Sequence, residues 1–143
     1  MSSSRATHLP AGAVLAGLCG AAGVLGADQP TAADVEQGEV VFQKCYACHS
    51  VVPGETGLTG PNLVGVVGRA VASAPDFEYS AALERLPAQG YPIWTEAALD
   101  AYLRSPEDFA PGTAMTFVGL PDPAERADVI AYLAAARNGR GEE

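Results

Sequence analysis

The spacing of apolar residues along the chain predicts helices. The stretch 31–44 has the period of a helix, and its residues Val35, Gly38 and Phe42 recur on one face. A second amphipathic stretch covers Glu96–Arg104, and a third lies near the C-terminal end. No alternation of apolar and polar residues lasts long enough for a strand. The pattern therefore predicts an all-α domain with three main helices.

Capping residues mark the starts of these helices. Thr31, with Asp34 three positions later, resembles a capping box for the first helix. Thr95 is a cap for the second helix, and Asp122 followed by Pro123 begins the third. Each helix thus has a start that its own residues specify.

The connecting segments are rich in Gly, Pro, Thr and Ser and have no sustained period. Residues 52–77 and 107–120 are accordingly predicted as loops. Ser80 is a candidate cap for a short helix that runs to Leu86. Long loops and short helices therefore fill most of the space between the three main helices.

The first 27 residues have the composition of an export signal. Arg5 and His8 precede Leu9–Ala27, which is apolar and uncharged, and polar sequence begins at Asp28. An uncleaved membrane anchor is the alternative, because about 20 apolar residues can span a bilayer. We expect residues 1–27 to be a signal peptide, residues 28–143 to form one domain, and the mature chain to lie in the periplasm without a membrane span.

The charge balance restricts the partners. The chain has 8 basic and 17 acidic side chains, and loss of the leader removes Arg5, which leaves 7 basic residues and a net charge of −10. Such a surface has no excess of cations to neutralise phosphates, so nucleic acid is excluded as a partner. A protein partner is expected to present a basic or apolar docking face.

The cysteines point to the chemistry. Cys19 lies in the leader, while Cys45 and Cys48 are followed directly by His49 in a C-x-x-C-H motif, the attachment signature of a c-type haem. On a helix, positions three apart share a face, so both thiols can reach the vinyl groups of one porphyrin. His49 then presents its imidazole to the iron.

Three other interpretations of the motif stay open at this point. A zinc site would need carboxylates to complete it, because the mature chain has no further Cys or His. A redox-active dithiol would need a strand–helix context that the pattern lacks. A disulfide between Cys45 and Cys48 would close a loop too short to stabilise much.

Met115 is the candidate for a second axial ligand. It is the one methionine outside the leader, and the turn-rich Pro111–Met115 stretch can project its side chain inward. Ordinary core packing is the alternative role. A thioether favours reduced iron and fills the sixth position, which is typical of an electron carrier rather than an enzyme.

Several motifs in order resemble the class I cytochrome c family, in particular bacterial periplasmic relatives of the mitochondrial protein. The resemblance runs from Gly38 to Leu133. Besides the haem motif it rests on Gly60-Pro61-Asn62-Leu63, Gly68-Arg69, Phe77-Glu78-Tyr79-Ser80, Trp94-Thr95-Glu96, Leu99-Asp100-Ala101-Tyr102-Leu103, Pro111-Gly112-Thr113-Ala114-Met115-Thr116-Phe117 and Asp128-Val129-Ile130-Ala131-Tyr132-Leu133.

The resemblance implies a cytochrome c fold, with short helices and long loops wrapped around one covalently bound haem c. Pro61 would offer its carbonyl to the second ring nitrogen of His49 and raise the basicity of that ligand. Tyr102 and Thr113 would line the Met115 side. Gly38 and Phe42 would pack on the last helix. Three side chains would hold the haem propionates: Arg69, Tyr79 and Trp94.

The resemblance also implies a function, a monomeric one-electron carrier between respiratory or other periplasmic redox partners. A haem c subunit of a larger periplasmic oxidoreductase is the alternative. Independent catalysis is disfavoured, because no distal His or Arg pair accompanies Met115. The stretch Ala81–Ile93 is longer than in the mitochondrial protein, and the resemblance assigns it no role.

Overall fold

The computed structural model describes residues 32–138, and the predicted leader lies outside them. The all-α prediction is confirmed: within the described range the one β-type pairing is an isolated bridge between Ala70 and Ile93. The three main helices are α1, α3 and α5, and α2 and α4 are short. Their bounds are α1 Val35–Phe42, α2 Ala81–Arg85, α3 Glu96–Arg104, α4 Pro106–Phe109 and α5 Pro123–Ala135, with 3₁₀ turns at Leu86–Gln89 and Ala136–Asn138.

Helix α1 begins later than its sequence pattern predicts. Asp34 is the N-cap, because its Oδ1 accepts hydrogen bonds from the backbone N–H of Glu36 at 2.8 Å and of Gln37 at 3.2 Å. The predicted start at residue 31 is therefore wrong, and Thr31 itself lies outside the described residues. Asp34 offers its carboxylate directly to the free N–H groups of the first turn, a strong capping arrangement.

Helices α1 and α5 cross in close contact. A Cβ on Gly38 would lie 2.6 Å from the carbonyl carbon of Asp128 and 2.7 Å from Tyr132 Cβ, so only glycine fits at this crossing. The Phe42 ring packs on Tyr132, with centroids 5.2 Å apart. This is the packing that the family resemblance implied for the two residues.

The C-x-x-C-H motif follows α1 in a series of tight turns rather than in the helix. The backbone N–H groups of Cys48 and His49 both donate to the Cys45 carbonyl, each at 3.0 Å. Helix α1 itself ends at Phe42. The helical setting expected for the cysteines is thus replaced by turns that still bring Cys45, Cys48 and His49 together.

Two shorter elements also differ from the sequence pattern. Helix α2 ends at Arg85 and continues as a 3₁₀ turn, which closes at Gly90 with a φ of +97°. Helix α4 lies partly within the stretch 107–120, for which the pattern predicts a loop. Pro106 at its first turn and the acidic Glu107 and Asp108 favour a helix N-terminus, and the Ala110 N–H closes the turn on the Pro106 carbonyl.

The buried core lies between α1, α3 and α5 and extends to the loops that face them. No helix within the described range has the length and apolar character needed to cross a membrane. The largest fully buried side chains are those of Phe42, Leu86, Pro106, Leu120 and Val129.

Candidate cofactor site

A largely apolar cavity of about 390 Å³ opens beside the C-x-x-C-H turns. Its volume lies in the range typical of small-molecule and cofactor sites. Every site residue predicted from the sequence lines it, namely Cys45, Cys48, His49, Pro61, Arg69, Tyr79, Trp94, Tyr102, Thr113 and Met115. The fold therefore gathers these residues around one space, although they come from separate segments of the chain.

The two thiols line the cavity. Cys45 is partly buried and Cys48 is exposed, and both are free thiols. Burial raises the pKa of the Cys45 thiol to about 11, even though the neighbouring Lys44 ammonium lowers it. The thiol is therefore neutral at physiological pH. It lines the cavity, where a ligand can be attached to it covalently.

The His49 ring is fixed on one side by the backbone of a loop. Its Nδ1 lies 2.8 Å from the Pro61 carbonyl oxygen, so Nδ1 carries the proton and Nε2 is left for a ligand. Burial lowers the pKa of His49, which favours the neutral form that coordinates metals. A Cβ on Gly60 would approach Nδ1 to 2.7 Å, so glycine is required for this packing.

Asn62 fixes the loop that carries Pro61. Its Nδ2 donates to the carbonyls of Val52 at 2.7 Å and Glu55 at 3.0 Å, and its Oδ1 accepts from the Val64 N–H at 2.8 Å. These three bonds connect the segment after His49 to the segment that bears the Pro61 carbonyl. The position of the acceptor for the His49 ring is thereby set by the backbone on both sides.

Met115 also lines the cavity and is held by side chains. The Tyr102 hydroxyl donates to Met115 Sδ at 3.3 Å and lies 3.2 Å from Thr113 Oγ1. The Met115 N–H donates to the same Thr113 oxygen at 3.3 Å. Burial raises the pKa of Tyr102, so its proton remains available to the sulfur.

Arg126 anchors the chain beyond Met115. Its guanidinium is buried, and Nη1 donates to the carbonyls of Leu120 at 2.8 Å and Pro121 at 2.9 Å. Nε donates to Asp100 Oδ1 at 2.6 Å. The end of the Met115 segment is in this way connected to α3 and α5.

Two orphaned polar atoms test whether a haem fits here. Arg69 Nε and Ser80 Oγ are buried without a hydrogen-bond partner among the described residues, and both residues line the cavity. The terminal nitrogens of Arg69 already donate to the Asn62 carbonyl at 3.1 Å. The Tyr79 hydroxyl accepts from the Ala74 N–H at 3.3 Å, which leaves its proton to donate. Carboxylate groups of a ligand would satisfy these donors, so the residues fit a haem.

Sequence reasoning missed several residues of this site. The pattern predicts Ser80 as a helix cap, yet its hydroxyl makes no capping bond and lines the cavity. Asn62 and Gly60 stand beside Pro61 in the same motif, and their roles depend on contacts with distant atoms. One sequence signal could have indicated the roles of Gly60 and Asn62: a Gly-Pro-Asn stretch that follows a histidine in the chain.

Comparisons with known proteins agree with this geometry. The Cytochrome c family profile matches residues 35–137. The chain is 44% identical over 122 residues to cytochrome c2 of Rhodomicrobium vannielii, a match that covers 85% of this chain and 94% of that protein. It is 42% identical over 110 residues to cytochrome c of Sesamum indicum, covering 76% and 96%. The solved structure of cytochrome c2 from Rhodospirillum centenum matches with a TM-score of 0.64 at 38% identity, covering 71% of this chain and 97% of that one.

These matches, together with the helices and the cavity, define the class: an electron carrier with one covalently bound haem c, and not an enzyme. The chain belongs to the cytochrome c family. Its partners are accordingly other redox proteins.

Proposed function

We propose that the chain is a periplasmic one-electron shuttle whose haem iron is bound axially by His49 and Met115. Cys45 and Cys48 form the thioether bonds. Residues 1–27 are the cleaved leader, and residues 28–143 are a monomeric monohaem domain that serves a respiratory chain or another periplasmic route. The observation that supports the proposal is the common cavity, which both His49 and Met115 line.

The chain's own groups explain how such a carrier works. Bound haem supplies the Fe(III)/Fe(II) couple. His49 donates its Nδ1 proton to Pro61, which strengthens the ring as a ligand. Tyr102 donates to the Met115 sulfur and keeps it oriented into the cavity. Because His49 and Met115 are both held in place before electron transfer, the change in the oxidation state of the iron requires little movement of the protein.

Arg69, Tyr79 and Trp94 contact the haem propionates in this proposal. The support is the unpartnered Nε of Arg69 and the spare proton of Tyr79. The alternative, a haem c subunit of a larger oxidoreductase, is not favoured, because the chain covers nearly the whole length of a cytochrome c2 relative.

Absorption spectra of the purified oxidised protein test the ligand set. We expect the weak band that marks an iron–thioether bond, and we expect Met115→Ala to lose it. Val118→Ala is the matched control, because Val118 lies three positions further along, is 90% exposed and does not line the cavity. A band that persists in Met115→Ala would refute ligation by Met115.

Electrode kinetics test the docking charge. The excess of acidic side chains favours a basic partner surface. At an electrode coated with a cationic monolayer, the rate of electron transfer is expected to fall as ionic strength rises. A rate that increases with salt at that surface would contradict the proposed docking.

A further inference from the structure

A tyrosine at the end of the 81–93 segment packs against the chain that leads to Met115. The rings of Tyr91 and Phe109 have centroids 4.6 Å apart and planes inclined at 57°. Phe109 is the last residue of α4, and the stretch 110–117, here called the Met115 loop, follows directly. The Tyr91–Phe109 stack therefore joins a segment without an assigned role to the base of this loop.

The backbone under Tyr91 is fixed on both sides. The Tyr91 N–H donates to the Leu86 carbonyl at 3.0 Å, and the Pro92 carbonyl accepts from the Val71 N–H at 3.1 Å. Because its backbone is held, the Tyr91 ring offers Phe109 a preorganised surface. If Phe109 moved away, the stack would break, because the fixed backbone of Tyr91 keeps that ring from moving with it.

The contacts continue from Phe109 to the sulfur. Phe109 meets Tyr102 edge to face, with centroids 5.8 Å apart and an angle of 71°. The Tyr102 hydroxyl donates to Met115 Sδ at 3.3 Å. Phe109 thus touches both the surface ring of Tyr91 and the residue that orients the sulfur.

Local hydrogen bonds shape the base of the Met115 loop. The Ala110 N–H donates to the Pro106 carbonyl at 2.9 Å, and the Gly112 N–H donates to Glu107 Oε1 at 3.1 Å. Both bonds lie within the α4 and loop segment itself. The ring of Tyr91 is, by contrast, a contact that ties this base to a different segment.

We propose that Tyr91 is a positioning residue that keeps the Met115 loop closed over the sixth position of the haem iron. The inference rests on the proposed ligation by Met115. With Met115 as an iron ligand, a nitrogen of an external ligand would have to replace the Met115 sulfur, so that one bond to the iron would break as the other forms. The apparent affinity of that ligand rises with the population of the open loop. Loss of the stack favours the open loop.

Imidazole titration of the oxidised holoprotein, followed by absorption, measures this population. Tyr91→Ala is expected to bind imidazole about tenfold more tightly than wild type, since an aromatic pair of this geometry is lost. Tyr91→Phe retains the ring and is expected to stay within about twofold of wild type. Ile93→Ala is the matched control: Ile93 is 44% exposed against 39% for Tyr91, lies in the same segment and takes no part in the stack.

The outcomes separate the two proposals. A wild-type protein without the thioether band would overturn the ligation, and this inference with it. A wild-type protein with the band, together with an unchanged imidazole affinity in Tyr91→Ala, would overturn the inference alone. Equal increases in imidazole affinity in Tyr91→Ala and Ile93→Ala would also overturn the inference. If Tyr91→Ala does not accumulate with haem, Tyr91→Leu, which keeps apolar area without a ring, carries the same test.

Discussion

The two proposed iron ligands are held in the cavity by different means. On the histidine side, His49 is bonded to a backbone carbonyl, and three bonds from Asn62 fix the loop behind it. On the methionine side, Met115 is oriented by the Tyr102 hydroxyl and by aromatic packing. A backbone acceptor in a clamped loop has few ways to move, whereas side chains can repack. We therefore expect the methionine side, rather than the histidine side, to open.

The largest expected effect is on the histidine side. Gly60→Ala places a Cβ 2.7 Å from His49 Nδ1, and the ring cannot retreat because Pro61 holds it. We expect destabilisation of about 2–3 kcal/mol and a marked loss of haem-loaded protein, as for overpacked sites in general. Chemical unfolding and the haem content of the purified protein are the measurements.

Gly57→Ala is the control for this substitution. Gly57 has a φ of +75°, and no described atom lies within 4 Å of the position that an alanine Cβ would take. Its replacement therefore costs only backbone strain of about 1–2 kcal/mol. Full haem content is expected in this variant. If the purified Gly60→Ala and Gly57→Ala proteins had the same haem content, the close packing of Gly60 against His49 would not determine how much haem is bound.

The next effect comes from the clamp of the histidine loop. Asn62→Ala removes three hydrogen bonds and is expected to cost about 2–3 kcal/mol in the free energy of unfolding. The reduction potential should also rise, because a looser Pro61 carbonyl makes His49 a weaker ligand for oxidised iron. Unfolding curves and voltammetry measure the two quantities.

Ser73→Ala serves as the comparison for the clamp. Ser73 is exposed, and its hydroxyl donates to the Ala70 carbonyl at 2.6 Å. Loss of this bond should cost less than about 1 kcal/mol and leave the potential unchanged. If Asn62→Ala and Ser73→Ala had equal reduction potentials, the hydrogen bonds of Asn62 would have no influence on the iron.

A smaller effect is expected on the methionine side. Tyr102→Phe removes the hydroxyl bond to the sulfur at a cost of about 1 kcal/mol. The potential should fall, because a sulfur without this bond donates more strongly to oxidised iron. Tyr79→Phe is the matched substitution for the thioether band alone, since the Tyr79 hydroxyl, proposed to contact a propionate, bonds to Ala74 and not to Met115. The thioether band should shift in Tyr102→Phe and stay in place in Tyr79→Phe; the reverse would contradict the contact.

The smallest effect is predicted for an ion pair next to the haem motif. Lys44 Nζ lies 2.7 Å from Glu125 Oε1, and the side chains are 47% and 33% exposed. A double-mutant cycle with Lys44→Gln and Glu125→Gln should give about 0.5 kcal/mol of coupling, which disappears at high salt. A coupling energy larger than that of the hydrogen bond between Tyr102 and Met115 would contradict this order, because the exposed ion pair would then stabilise the protein more than the neutral hydrogen bond does.

Much of this architecture follows from local sequence. The C-x-x-C-H motif, the Pro61 turn and the capped helices α3 and α5 are specified by residues close together in the chain. The predicted start of α1 is wrong because Thr31 and Asp34 both resemble caps, and only the bonds to Glu36 and Gln37 decide between them.

Other features have no local signal. Helix α4 is a single turn, and the Pro111-Gly112 turn that follows it dominates the pattern. The contact of Tyr91 with Phe109 joins two segments that the chain does not connect directly. The family resemblance supplies roles for cavity residues such as Trp94, but it assigns none to the longer 81–93 segment. Such features depend on tertiary packing.

The crossing of α1 and α5 sets an order of events in the making of the protein. The Asp34 N–H donates to Asp128 Oδ1 at 2.8 Å across 94 positions of sequence, and Gly38 packs on the same helix. Bringing these residues together closes a long loop of the chain, which costs conformational entropy. Helix α5 supplies Val129 and Leu133 to the cavity lining, so the cavity is complete only after this crossing has formed.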